Sequence, residues 1–237
     1  PKRCNKSQWC EAEKQLVLEA RRDNKTYGKE KIGVILRRDK KQTMSDSTVG
    51  RILSFLRKKG LITRSRSAPQ KRKRNFSKGH AKGWKYKVYS DIEVGERVQI
   101  DHMTATKNGV TCKHFQAWER CSKHIHAQVY SNATARSAKR FLQELVEIAP
   151  YKILSIQVDG GSEFMADFET ACEQMSIPLI VLPPARPKYN GGVERGNRTF
   201  REEFYACRDL IADSIGAMRF ELRKAVDKYN TFRPHHA

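Results

Sequence analysis

No acidic residue occurs in the 44 positions from Ser47 to Ser90. So long a stretch without a carboxylate cannot neutralise its own cations, and it points to a polyanion as partner. Long hydrophobic runs are missing too. The longest, Ile177 to Ala185, contains three prolines and falls short of the roughly 18 apolar residues that a membrane span requires. The start, P-K-R-C-N-K-S-Q-W-C, is basic but leads into no apolar segment, so neither a secreted nor a membrane protein is expected. Six cysteines (Cys4, Cys10, Cys112, Cys121, Cys172, Cys207) include no C-x-x-C pair, and the histidines offer no H-x₃-H to go with them. A structural zinc site is therefore not expected, and the thiols read as reduced.

What is present is positive charge, placed unevenly. The 237 residues carry a net +21; residues 1–90 hold 27 Lys+Arg against 7 Asp+Glu, and residues 91–237 hold 20 against 19. A basic front section is joined to a nearly neutral back section. Such asymmetry suggests a binding arm attached to something with a different task.

The front section reads as three helices. The first fits Glu11 to Arg22, with Trp9, Leu16, Val17 and Ala20 available for burial, and the second fits Lys29 to Arg38, with Ile32, Ile35 and Leu36 at helical spacing. The third starts at a Ser45 or Asp46 cap, carries Val49, Ile52, Leu53 and Leu56 on one face, and stops at Gly60. With a tight turn at Asp39–Thr43, this describes a helix-turn-helix over residues 1–63, in which the last helix enters the major groove of double-stranded DNA. Ser47, Thr48 and Arg51 are then the candidates for base edges, and Arg57, Lys58 and Lys59 for phosphates. An ordinary three-helix bundle with a solvated basic face is the bland alternative. Leu61-Ile62-Thr63 is a candidate wing strand. Residues 64–90 read as a basic linker that orders on a phosphate backbone, centred on Lys71, Arg72, Lys73 and Arg74. Trp84, Tyr86 and Tyr89 alternate with lysines there, which fits stacking on bases and an edge strand equally.

In the back section, 91–237, Arg97 to Met103 alternates as a half-buried strand with Asp101 near its end. Strands follow at Val110–Glu119 and Ile125–Tyr130, then a helix at Ala135–Ile148 with Ala138, Phe141, Leu142, Leu145 and Val146 inward. Ile153 to Val158 is a buried strand ending in Asp159-Gly160-Gly161. A helix at Met165–Met175 and a strand at Leu179–Leu182 come next. This order is the opening of an α/β, ribonuclease-H-like core with a mixed five-stranded sheet and flanking helices, whose chemistry sits at strand C-termini. Beyond a proline-rich loop, Asn190 is placed to cap a helix that carries Glu194, Asn197, Arg198 and Arg201 on one face, with Val193, Phe200, Phe204 and Cys207 on the next stripe. If Asp101, Asp159 and Glu194 converge, only cations offset their repulsion, and oxygen-only ligands suit paired Mg²⁺ or Mn²⁺ ions. Taken singly, each acid also has an ordinary role as turn, cap or strand-end residue. His102 lies on the face opposite Asp101 and reads as packed. His124 and His126 read as surface or cross-strand residues, and Glu163 stands close enough to Asp159 to orient a ligand.

Residues from about Val94 to Ala237 resemble the catalytic core of the retroviral-integrase-like DDE transposases of bacterial insertion sequences. The resemblance rests on V-Q-I-D at 98–101, D-G-G-S-E-F at 159–164, N-G-G-V-E-R-G-N-R-T at 190–199 and Y-N-T-F-R-P-H at 229–235. It implies that Asp101, Asp159 and Glu194 are catalytic and hold two Mg²⁺ or Mn²⁺ ions, and that Asn197, Arg198 and Arg201 touch DNA near the cleaved phosphate. It implies cleavage of the ends of a mobile element and their joining to target DNA by a homo-oligomer, in a bacterial cytoplasm and at the nucleoid when bound. The 34 residues between Asp159 and Glu194 are one fewer than the family's usual 35. Similar transposases continue past the R-P-H stretch, so a C-terminally truncated core is expected. A non-catalytic repressor or inactive remnant derived from a transposase is the competing class. A simple ribonuclease-H-type nuclease is disfavoured, because it needs no helix-turn-helix.

Overall fold

The computed structural model describes residues 9–63, 93–182, 190–207 and 209–235. The basic cluster Lys71–Arg74, the aromatic positions Trp84, Tyr86 and Tyr89, and most of the proline-rich loop before Asn190 lie outside the described residues. The chain divides into two compact units, one built mainly on residues before Pro69 and one over Pro69–Phe232.

The first unit holds α1 (Glu11–Asp23), α2 (Lys29–Lys40) and α3 (Asp46–Lys58). Its core joins Val17, Leu18 and Ala20 to Ile32, Ile35, Leu36, Val49, Ile52, Leu53 and Leu56. Leu16 is only half-buried and Leu18 takes the inward place, because the buried stripe of α1 runs through Val17, Leu18 and Arg21. Helix α2 continues two residues past Arg38 and ends at Lys41 in the left-handed region. The turn to α3 therefore sits later than Asp39–Thr43. Ser45 caps α3 by accepting from the Thr48 amide at 3.2 Å, and Gly33 leaves the space on α2 where the Asp46 carboxylate packs. Gly60 closes the helix at φ +72°. No strand forms at Leu61–Thr63, which follow α3 in bends; no described strand pairs with them.

The second unit is one mixed sheet in the order β3-β2-β1-β4-β5, made of β1 (Val98–Lys107), β2 (Val110–Glu119), β3 (Ile125–Tyr130), β4 (Ile156–Val158) and β5 (Leu179–Val181). The first three strands are antiparallel, and β1, β4 and β5 run parallel. Strand β1 runs four residues beyond Met103, so Asp101 stands in its middle and not near its end. The cause is a two-residue hairpin at Asn108-Gly109, both at positive φ, which zips Lys107 to Val110. One sheet face packs on α4 (Ala135–Ile148) and α5 (Asp167–Gln174) through Val98, Ile100, Phe115, Phe141, Leu142, Leu145 and Phe168. Val146, expected inward, is exposed because the buried stripe of α4 closes at Leu145. A 3-10 turn at Ser162–Phe164 precedes α5 and displaces its start to Asp167.

The opposite face packs on α6 (Gly191–Phe200), a π-helical turn at Arg201–Tyr205 and α7 (Ile215–Thr231). Met103, Ala105, Val129, Phe200, Phe204, Tyr205, Met218, Leu222 and Tyr229 form this second core. Asn230 fastens α7 to the start of β3 by bonding both the amide and the carbonyl of Ile125, at 2.9 and 2.8 Å. Among the described residues no helix is long and apolar enough to cross a membrane.

Candidate active site

Alternation along β1 sends Gln99, Asp101 and Met103 to the α6 face and Val98, Ile100 and His102 to the other. Parallel pairing with β4 sets Gln99 against Gln157. Two residues further along each chain stand Asp101, still within β1, and Asp159, just past the end of β4. The α6 helix closes the arrangement from above.

Polar side chains rising from three adjacent strands seat that helix. Gln99 accepts from the Val193 amide at 3.1 Å, and Gln116 donates to the Val193 carbonyl at 3.0 Å. Gln157 reaches Asn190 at 3.5 Å. All three glutamines are buried, so their bonds carry the full cost of being broken in a dry environment. Val193 is thereby pinned over the sheet, and Glu194 follows it directly. Two glycines make the approach possible. A Cβ on Gly192 would stand 2.0 Å from the Trp118 ring, and one on Gly196 would stand 2.2 Å from the Gln116 amide. Asn190 occupies the N-cap position as expected, but its side chain makes no cap bond; it faces Gln157 instead.

Asp101 is held at both oxygens. Oδ1 accepts from the His102 backbone amide at 2.7 Å, and Oδ2 accepts from the side-chain amide of Asn197 at 2.9 Å. Burial pushes the Asp101 carboxyl up to about 6, with the charges of Asp159 and Glu194 adding to the rise and the His102 amide opposing it. Asp159 is exposed at the C-terminal end of β4 and accepts from the Gly161 amide at 3.2 Å. Glu194 is exposed in the first turn of α6. Among the described residues no three His, Cys, Asp or Glu side chains are drawn closely enough to hold an ion as they stand. The donor chemistry nevertheless fits a hard divalent cation: three carboxylates and no soft ligand.

The other expected residues separate into groups. Ser47, Arg51, Arg57, Lys58 and Lys59 are exposed on α3. Thr48 is half-buried and its hydroxyl lies 3.0 Å from that of Ser45, so it belongs to the helix cap. Arg198 is exposed and paired with Glu202 at 2.8 Å. Arg201 is exposed, with a guanidinium contact to the Met103 sulfur at 3.5 Å. Asn197 is 5% exposed, and its side-chain NH₂ donates to a carboxylate oxygen of Asp101.

His102 is packed, as expected, stacked on Phe115 with ring centroids 5.2 Å apart. His126 is not a surface residue; it is buried and stacks on Phe141 at 5.2 Å, because both faces of β3 are covered. Periodicity alone does not single out the glutamine trio. Its signal is one Gln inside an apolar triplet on each of three strands, V-Q-I, F-Q-A and I-Q-V. Nor does periodicity single out His114. It is fully buried, lies 3.0 Å from the Tyr205 hydroxyl, and burial holds its ring down to about 3.

Residues 175–237 match the family model of the integrase core domain, a span that holds Glu194 and Asn197. Among solved structures the chain is similar to the catalytic core domain of BIV integrase, with 23% identity and TM-score 0.49 over 60% of this chain and 88% of that one. The HTLV-2 integrase catalytic core domain in complex with magnesium is similar at 16% identity and TM-score 0.48, over 60% and 89%. A chain of the simian T-cell lymphotropic virus intasome in complex with PP2A regulatory subunit B56 gamma is similar at 15% identity and TM-score 0.54, over 93% and 70%. No curated protein matches. The mixed five-stranded sheet with its flanking helices is the ribonuclease-H-like fold of an integrase catalytic core.

Proposed function

We propose that this chain, whose core has the fold of the retroviral integrases, is a DNA transposase that cuts the ends of a mobile element and joins them to target DNA by phosphoryl transfer. The observation that supports the reading is the seating of α6 on the sheet: Gln99, two residues before Asp101 and paired with Gln157, two residues before Asp159, bonds the Val193 amide next to Glu194. Bacterial insertion-sequence origin, suggested by the sequence motifs, belongs to the same proposal.

Asp101, Asp159 and Glu194 would hold Mg²⁺ or Mn²⁺, two ions per site. When bound, such ions supply charge neutralisation for an in-line displacement at phosphorus and lower the pKa of the attacking hydroxyl. The chain's own part is positional. Asn197 and the His102 amide hold the two oxygens of Asp101 and so fix its orientation. Gln99 and Gln116 hold the first turn of α6, and with it Glu194, at a set height above β1. Arg198 and Arg201, exposed further along the same face, are placed to meet the phosphates that flank the reacting one.

The first unit is proposed as a helix-turn-helix, with Ser47 and Arg51 toward base edges and Arg57, Lys58 and Lys59 toward phosphates. Lys71, Arg72, Lys73 and Arg74 extend the phosphate grip in the same proposal. Two element ends must be held together for joining, so a homo-oligomer on DNA is part of it, acting at the bacterial nucleoid. The test is cleavage of a labelled duplex carrying the sequence that flanks the coding region, in Mg²⁺ and in EDTA. Asp159→Asn is expected to abolish nicking and to leave duplex binding intact. A wild-type chain that binds this duplex and never cuts it would instead be a DNA-binding repressor.

A further inference from the structure

The ladder between β1 and β4 ends too early to hold the two aspartates in place. Only Val98 with Ile156 and Gln99 with Gln157 are paired, and β4 is three residues long. Asp159 leads into a Gly-Gly stretch, and the only bond to its carboxylate among those described comes from Gly161, two residues on. Something other than the backbone ladder must set its distance from Asp101.

His102 and Glu163 are built to do this. The His102 backbone amide holds Asp101 Oδ1 at 2.7 Å, while its ring crosses to the other sheet face and lies flat on Phe115. There Nδ1 is 2.8 Å from Glu163 Oε1. That nitrogen is shut off from solvent and makes no aligned hydrogen bond, so the close approach of the Glu163 carboxylate is its polar contact among the described residues. Glu163 sits in the 3-10 turn that follows Asp159-Gly160-Gly161 directly, and its side chain is 11% exposed. Its carboxylate folds back over Gly161, filling the space that a Cβ there would need, with 2.6 Å between the two. The next residue, Phe164, is buried against Phe115 and Phe168. One residue after the first aspartate is thus tied to a residue four after the second, across a ring anchored in the core.

We infer that the His102–Glu163 contact is a brace that sets the separation of Asp101 and Asp159 and thereby the affinity of the site for divalent cations. Both are positioning residues: neither joins the carboxylates that would hold the ion. The inference rests on the carboxylate site proposed above. Outer-sphere partners of this kind typically change metal affinity about 10- to 100-fold when removed.

The experiment is Mn²⁺ binding to the full chain, followed by titration calorimetry and by loss of the free-ion electron paramagnetic resonance signal. Glu163→Ala is expected to weaken Mn²⁺ about 10- to 100-fold, and Glu163→Gln, which keeps an acceptor for the ring, to recover most of the affinity. His102→Phe keeps the stack on Phe115 and the backbone amide while removing Nδ1. It should lose as much as Glu163→Ala, and the double variant little more than either, because one contact is being broken. His102→Phe also decides the matter if Glu163→Ala fails to fold. Wild-type affinity in His102→Phe overturns the brace. Asp159→Asn separates the two claims: if it leaves Mn²⁺ binding untouched, the carboxylate site itself fails. If it abolishes binding while both brace variants bind normally, the site stands and the brace falls.

Discussion

The side-chain amide of Asn197 donates to Oδ2 of Asp101 across 2.9 Å, joining the second turn of α6 to the middle of β1. A residue that the sequence motif assigns to DNA is thereby occupied in holding a carboxylate. Asn197→Ala is expected to slow single-turnover cleavage about 10- to 100-fold with duplex affinity unchanged. If affinity falls and the rate at saturation does not, Asn197 contacts DNA after all.

Gly192 and Gly196 are set by the sheet beneath them. Gly196→Ala would drive a methyl into the Gln116 amide, which is fully buried and bonded to Val193. Gly192→Ala would meet the Trp118 ring, a rigid group with little room to yield. Each is expected to cost about 1–3 kcal/mol, the range for overpacking a close-packed site. Denaturant unfolding of the two variants checks this. A midpoint equal to wild type would mean that α6 is not seated as described.

Two buried imidazoles predict acid sensitivity. Burial holds His114 down to about 3 and His126 down to about 4, whereas the unfolded chain protonates at about 6.5. Because the folded values are depressed, this stability is whole above about pH 7. It falls as the pH drops below 6.5, by about 2 kcal/mol per ring at pH 5. Asp101, raised to about 6, works in the opposite direction, so the informative comparison is between chains. His126→Phe keeps the stack on Phe141, and its unfolding midpoint should lose less between pH 7.5 and pH 5 than wild type. Equal losses in the two proteins would contradict the assignment of a neutral buried ring.

Local signals carried much of this architecture in the sequence. Periodicity placed β2, β3 and α4 at their observed bounds, since each is long and amphipathic. Ser45 and Gly60 marked the ends of α3 by cap chemistry. Alternation in the sequence ends β1 four residues short, because its true end depends on the Asn108-Gly109 turn and on β2 beyond it. Helix α7 is legible by its periodicity: its buried positions, Met218, Leu222, Val226 and Tyr229, recur at helical spacing among charged residues and pack on β3. The three acids were legible as a motif, but their seating was not. Gln99, Gln116 and Gln157 have meaning only once strand order sets β2, β1 and β4 side by side. The burial of Asn197 likewise depends on how closely two glycines let α6 approach.

The central claim is that Asp101, Asp159 and Glu194 act together as a cation-dependent phosphoryl-transfer site. Its most direct test is nicking of a labelled duplex carrying the sequence that flanks the coding region, in Mg²⁺ and in EDTA, by the wild-type chain and by Asp101→Asn, Asp159→Asn and Glu194→Gln. Duplex binding is measured alongside. The account predicts nicking by wild type in Mg²⁺ alone, no nicking by any of the three variants, and binding retained throughout. Nicking that survives in any one variant, or in EDTA, would contradict it.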